Sequence, residues 1–246
     1  MLSRIEQRPG KEFSGLIEKF WMFPRKGGKG HWFLEAPPDG NFDLVFVLAE
    51  TRCRVLYVGP FTELQRIPMV NNCEYFCVWF RPGIMPRVAD VTAVDLVNTW
   101  ADLPKVLGTA ADELGERLSA VQGFDAKKRL AEDFFHKAGL SSVMPNGTYR
   151  RAAELVESSG GRIRVDGLAK TLGVTTRTLE RLFREHAGVS PKKFIRLIRF
   201  HNILSQLRSG ELRTNLADLA YEWGYADQSH FVRDFKSLMQ TSPGEI

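Results

Sequence analysis

Arg177, Arg181 and Arg184 follow one another at spacings of four and three residues, and Ser229, Arg233 and Lys236 repeat that spacing fifty-two positions later. On a helix of about 100° per residue each trio shares one face, flanked by Thr178 and Glu180 in the first segment and by His230 and Val232 in the second. Long cationic donors beside short hydroxyls can reach guanine edges and phosphates in the major groove of a duplex. The opposite faces are apolar, with Leu179, Leu182, Phe183 and His186 in one segment and Phe231, Phe235 and Leu238 in the other. This is the chemistry of binding rather than of bond making. Residues 1–145 contain only two histidines, His31 and His136, and no His-x-His pair, so the convergent ligand set of a metal-dependent enzyme is not expected. Cys73 and Cys77 lie four apart on an expected strand, about 13 Å between α-carbons and too far for a disulfide. No cofactor, metal or catalytic residue is expected, and the chain reads as a non-enzyme.

The two cationic segments sit at equivalent places in an internal duplication. Ala169-Lys170-Thr171-Leu172-Gly173 aligns with Ala220-Tyr221-Glu222-Trp223-Gly224, and beyond the turn Leu179, Arg181, Phe183 and Ser190-Pro191 align with Phe231, Arg233, Phe235 and Ser242-Pro243. A short helix, a glycine turn and a second helix make the helix-turn-helix outline. Asp166 is expected to cap the first short helix and Thr175 the helix that carries the arginines. Ser190-Pro191 opens a linking helix to about Ser209, some 28 Å long at 1.5 Å per residue, against about 34 Å between successive major-groove faces. Lys192, Lys193, Arg196 and Arg199 lie near its start, within expected reach of phosphate.

The preceding half reads differently. Phe42–Leu48, Val55–Val58 and Cys73–Phe80 are short, rich in β-branched and aromatic residues, and bounded by Pro-Pro-Asp-Gly-Asn, Gly-Pro and Arg-Pro-Gly turns. Leu103, Val106, Leu107, Ala110, Ala111, Leu114 and Leu118 then recur at helical spacing. The expected organisation is a sensor or dimerisation domain over residues 1–140, β-rich to about residue 90 and helical after, a linker over 141–148 and an all-helical domain over 149–246. Residues 1–145 balance 18 basic against 18 acidic residues, whereas 146–246 hold 16 and 11, so the whole formal excess of +5 lies in the second part. A basic half beside a neutral one suits a polyanionic partner, double-stranded DNA first. The polar start and the want of a long apolar run point to the cytoplasm, with no membrane contact.

Residues 149–243 resemble the AraC/XylS family of bacterial transcription regulators. Leu168-Ala169, Gly173-Val174, Arg181-Leu182-Phe183, Gly188-Val189-Ser190-Pro191, Leu219-Ala220, Gly224-Tyr225, Phe235-Lys236 and Ser242-Pro243 carry the resemblance. It implies a module with two helix-turn-helix units that binds DNA and meets RNA polymerase. Base contacts would then fall to Arg177, Glu180, Arg181, Gln228, Ser229 and Arg233, and phosphate contacts to Thr175, Thr178, Arg184, Lys192, His230 and Lys236. The chain departs from the family at Gly244-Glu245-Ile246, where an aromatic residue and a basic tail are usual.

The first half resembles one β-rich variety of that family's regulatory domains through Pro38-Asp39-Gly40, Val58-Gly59-Pro60 and Phe80-Arg81-Pro82-Gly83. The implied fold class is α+β: a cupin-like or related small antiparallel barrel with following helices, then the double helix-turn-helix domain. Trp32, Phe46 and Trp79 are candidates for the wall of an apolar effector pocket. The expected function is DNA-binding transcription regulation modulated by a small molecule or a homodimer contact. An abundance-controlled regulator without a ligand and a small-molecule enzyme fused to a DNA-binding module are the alternatives.

Overall fold

Phe42 to Leu48 has a single polar residue because both faces of the strand it forms are covered. The computed structural model describes residues 4–28, 30–50, 52–85, 91–102, 109–139, 147–209 and 215–246, with the backbone alone at 109–112. The strands are β1 (Ile5–Gln7), β2 (Ile17–Phe23), β3 (His31–Ala36), β4 (Asp43–Leu48), β5 (Cys53–Val58), β6 (Gln65–Val70), β7 (Glu74–Phe80) and β8 (Trp100–Asp102). One sheet holds six of them, antiparallel, in the order β1-β2-β7-β4-β5-β8, and β3 pairs with β6 as a separate ribbon. Leu44, Phe46 and Leu48 face one way, with Phe20, Val55 and Phe76, onto helices α1 (Thr109–Ala120) and α2 (Phe124–Lys137). Val45 and Val47 face the other way, with Trp21, Tyr75 and Cys77, toward Ile67 and Met69 of the ribbon. A sheet covered on both faces loses its polar alternation, which is why the sequence run looks uniformly apolar.

Two expectations for this half need correction. β8 pairs with β5 inside the segment expected to be helical, with Tyr57 opposite Ala101. The helical spacing at Leu103, Val106 and Leu107 lies outside the described residues. So do residues 141–146 of the expected linker, while Gly147 and Thr148 already belong to helix α3 (Gly147–Ser158).

Helices α4 (Val165–Leu172), α5 (Thr176–Ala187), α6 (Pro191–Arg208), α7 (Leu216–Glu222) and α8 (Gln228–Met239) complete the helical half. Asp166 is not the cap expected of it. The helix starts two residues earlier than expected, with Arg164 at the cap position and Asp166 in the first turn, where a negative charge suits the dipole. The halves are packed together. Tyr149 Oη donates to the Gly83 carbonyl at 2.8 Å, the Leu64 amide donates to the Leu238 carbonyl at 2.8 Å, and Arg81 pairs with Glu157. Val97 packs on the core of the first helix-turn-helix unit and Leu64 on that of the second.

Candidate nucleic-acid interface

Each helix-turn-helix unit turns on a glycine in the left-handed region, Gly173 at φ 65° and Gly224 at φ 75°, a conformation a side chain would strain. Capping side chains then start the second helices. Thr175 accepts the Thr178 amide at 3.1 Å, and Asp227 accepts the His230 amide at 2.7 Å. Leu179, Leu182 and Phe183 are buried in one unit, and Phe231, Phe235 and Leu238 in the other. Those contacts turn Arg177, Glu180, Arg181 and Arg184 of α5, and Gln228, Ser229, Arg233 and Lys236 of α8, outward and exposed. Thr175, Lys192 and His230 are exposed as well, and Thr178 is half-buried with its hydroxyl 2.9 Å from that of Thr175. Arg181 forms an ion pair with Glu185 at 3.1 Å, an exposed pair that holds it only weakly.

Arg196 and Arg199 behave otherwise than the sequence suggests. Arg196 Nε donates to Asp234 Oδ1 at 2.7 Å, and a second nitrogen meets Ser237. Tyr225 Oη donates to the other oxygen of Asp234 at 2.8 Å. Arg199 Nε donates to the Gly161 carbonyl at 2.7 Å and its guanidinium lies over the Tyr225 ring. Both arginines brace α6 against its neighbours rather than facing outward. Their partners are 38 residues away in the chain, so helical spacing alone could not reveal them.

A family model described as a helix-turn-helix domain matches residues 168–246, and one described as a domain of unknown function matches residues 5–102. The HTH-type transcriptional activator RhaS of Escherichia coli O139:H28 is 28% identical over 45% of this chain and 40% of its own length. The HTH-type transcriptional regulator GlxA of Rhizobium meliloti is 34% identical over 54% of this chain and 43% of its own. A solved probable AraC family transcriptional regulator from Rhodopseudomonas palustris is 25% identical, covering 41% of this chain and 94% of that one at a TM-score of 0.37. Residues 168–246 are a helix-turn-helix domain, similar to those of AraC/XylS-type transcription regulators. The chain spans less than half the length of the two curated relatives.

The helix-turn-helix domain also walls a cavity of about 630 Å³ in the other half, through His201, Leu204, Ser205 and Arg208 of α6. The six-stranded sheet supplies the opposite wall. Strand register sets Lys19, Trp79, Asp43, Val58 and Trp100 in a row across β2, β7, β4, β5 and β8, and all five line the cavity. Trp21, Val45 and Leu56 lie in the next row. Of the candidate pocket residues only Trp79 is there. Phe46 points to the helix-covered face and is fully buried, and its neighbours Val45 and Val47 take the cavity side. Trp32 packs edge-on against Phe23, 5.4 Å between ring centroids, outside the cavity wall. Among the described residues no helix is long and apolar enough to cross a membrane, and no three His, Cys, Asp or Glu side chains gather as a metal set.

Proposed function

We propose that the protein is a sequence-specific DNA-binding transcription regulator whose N-terminal half is a sensor. The observation that carries this reading is the pair of exposed cationic faces at matched positions of two helix-turn-helix units, joined by α6. Arg177, Glu180, Arg181, Gln228, Ser229 and Arg233 read bases. Thr175, Thr178, Arg184, Lys192, His230 and Lys236 hold phosphates. We set the working boundary between sensor and DNA-binding domain just ahead of α3, which opens at Gly147. The protein acts in the cytoplasm on duplex DNA, and RNA polymerase and a second copy of the chain are its further partners.

A duplex recovered by selection against the full chain supplies the operator for the test. Arg181→Ala and Arg233→Ala should each weaken operator binding by about 1–3 kcal/mol and relax specificity at the base they read. Binding by the parent should fall steeply with salt, as phosphate neutralisation requires. Unchanged operator affinity in both variants would remove the assigned faces from the reading, and a flat salt series would remove DNA as the partner.

A further inference from the structure

We infer that the cavity between the sheets is a receptor for a small apolar amine, its ammonium group held at Asp43 and its hydrocarbon body on Trp21, Val45, Leu56 and Met69. The inference rests on the reading of the N-terminal half as a sensor, and it names the effector's chemical class. Asp43 Oδ1 and Trp79 Nε1 are both buried without a hydrogen-bond partner, and strand pairing sets the two residues side by side. They mark one end of the cavity as polar, while Trp21, Val45, Leu56, Ile67 and Met69 make an apolar stretch of the wall beyond. A buried carboxyl that lacks a donor is costly unless something supplies one. Asp39 lies at the same end, so two carboxyl groups share an apolar enclosure. Desolvation, with the nearness of Asp39, pushes the Asp43 carboxyl well above the usual range, and the charges of Arg4 and Lys19 offset that only in part. An ammonium group supplies both the missing donor and the positive charge that lets the carboxyl ionise.

Three basic groups of the cavity, Arg4, Lys19 and Arg54, already hold carboxylates. Arg4 and Lys19 both pair with Glu6, and Lys19 Nζ also rests 4.1 Å from the centroid of the Trp79 ring. Arg54 is held at both ends by Asp102, at 2.7 and 3.0 Å, and Arg52 and Arg208 are exposed at the rim. Burial holds the His201 imidazole below its ordinary pKa and hence neutral. Arg52 and Arg208 face solvent, whereas the Asp43 carboxyl is buried and set to receive a cationic head. The indole N–H of Trp79, one strand over, offers a place for an oxygen acceptor near the nitrogen.

Three probes of matched shape decide the matter: 4-phenylbutylamine, 4-phenylbutanol and 4-phenylbutyrate, titrated calorimetrically into the full chain at neutral pH. The amine should bind and raise the melting temperature, with the alcohol and the acid at least about tenfold weaker. Asp43→Asn should stay folded and lose the preference for the amine. Tighter binding of 4-phenylbutyrate, equal binding of the amine by Asp43→Asn, or binding of none of the three would overturn the inference. Salt-dependent duplex binding by the same protein stands or falls separately, so failure here is distinct from failure of the regulator reading.

Discussion

Asp43 is a buried carboxyl with an unsatisfied oxygen, and its chemistry shows in stability before any ligand is added. Burial pushes the Asp39 carboxyl up to about 7, and it pushes Asp43 well above the usual range with Asp39 adding repulsion. An unfolded aspartate ionises near about 4. Between the unfolded and folded values the folded chain holds protons that the unfolded chain has released, so stability falls as pH rises. For Asp39 that window runs from about 4 to about 7, and Asp43 contributes with the same sign. Asp43→Asn removes one of the two penalties and the repulsion on Asp39. The variant should be more stable than the parent at pH 8, by about 1 kcal/mol or more, with the gap closing toward pH 4. Melting temperatures across that range check it, and a variant less stable at pH 8 would mean that the carboxyl is ionised and satisfied.

At the scale of elements, side-chain caps decide where α5, α6 and α8 begin. Ser190 Oγ accepts the Lys193 amide at 3.2 Å ahead of Pro191, Thr175 does the same for α5, and Asp227 for α8. Ser190→Ala and Asp227→Ala should each lower unfolding stability by about 1 kcal/mol, read from urea midpoints at constant slope. Thr175 and Ser190-Pro191 were legible in the sequence because a cap is a local chemical signature. The cationic faces were legible because helical periodicity separates them from Phe183 and Phe235. The cavity was not. Strand β4 is apolar on both faces, so nothing in the run 42–48 says whether Val45 or Phe46 looks inward, and strand register alone assigns the parity. β8 is three residues long, too short to display a period. Asp166 was misleading because any acidic residue at a helix start looks like a cap, whether it stands at the cap or in the first turn.

For the whole molecule, α6 is an element shared by both helix-turn-helix units and the cavity. Its 18 residues, about 27 Å, carry Arg196 against Asp234 on α8, Arg199 against the Gly161 carbonyl, and His201, Leu204, Ser205 and Arg208 along the cavity. The spacing of the two DNA-facing helices therefore depends on braces that point into the protein, and the same helix is one wall of the sensor. Tyr149 and the Arg81–Glu157 pair fasten the halves, so heating should give a single transition. Tyr149→Phe should lower its midpoint, since the Gly83 carbonyl loses its donor at a cost of about 1–3 kcal/mol. Arg196 gives the sharper test, because the sequence and the structure assign it different jobs. If it holds phosphate, Arg196→Ala should weaken binding to every duplex alike and reduce the salt slope by about one. If it braces α8, the variant should lose operator affinity by about tenfold or more, through the unpaired Asp234 and the loosened helix, while the salt slope on unrelated duplex stays the same. The 2.7 Å contact with Asp234 and the second bond to Ser237 favour the brace. A uniform loss with a shallower slope would return Arg196 to the DNA-facing surface.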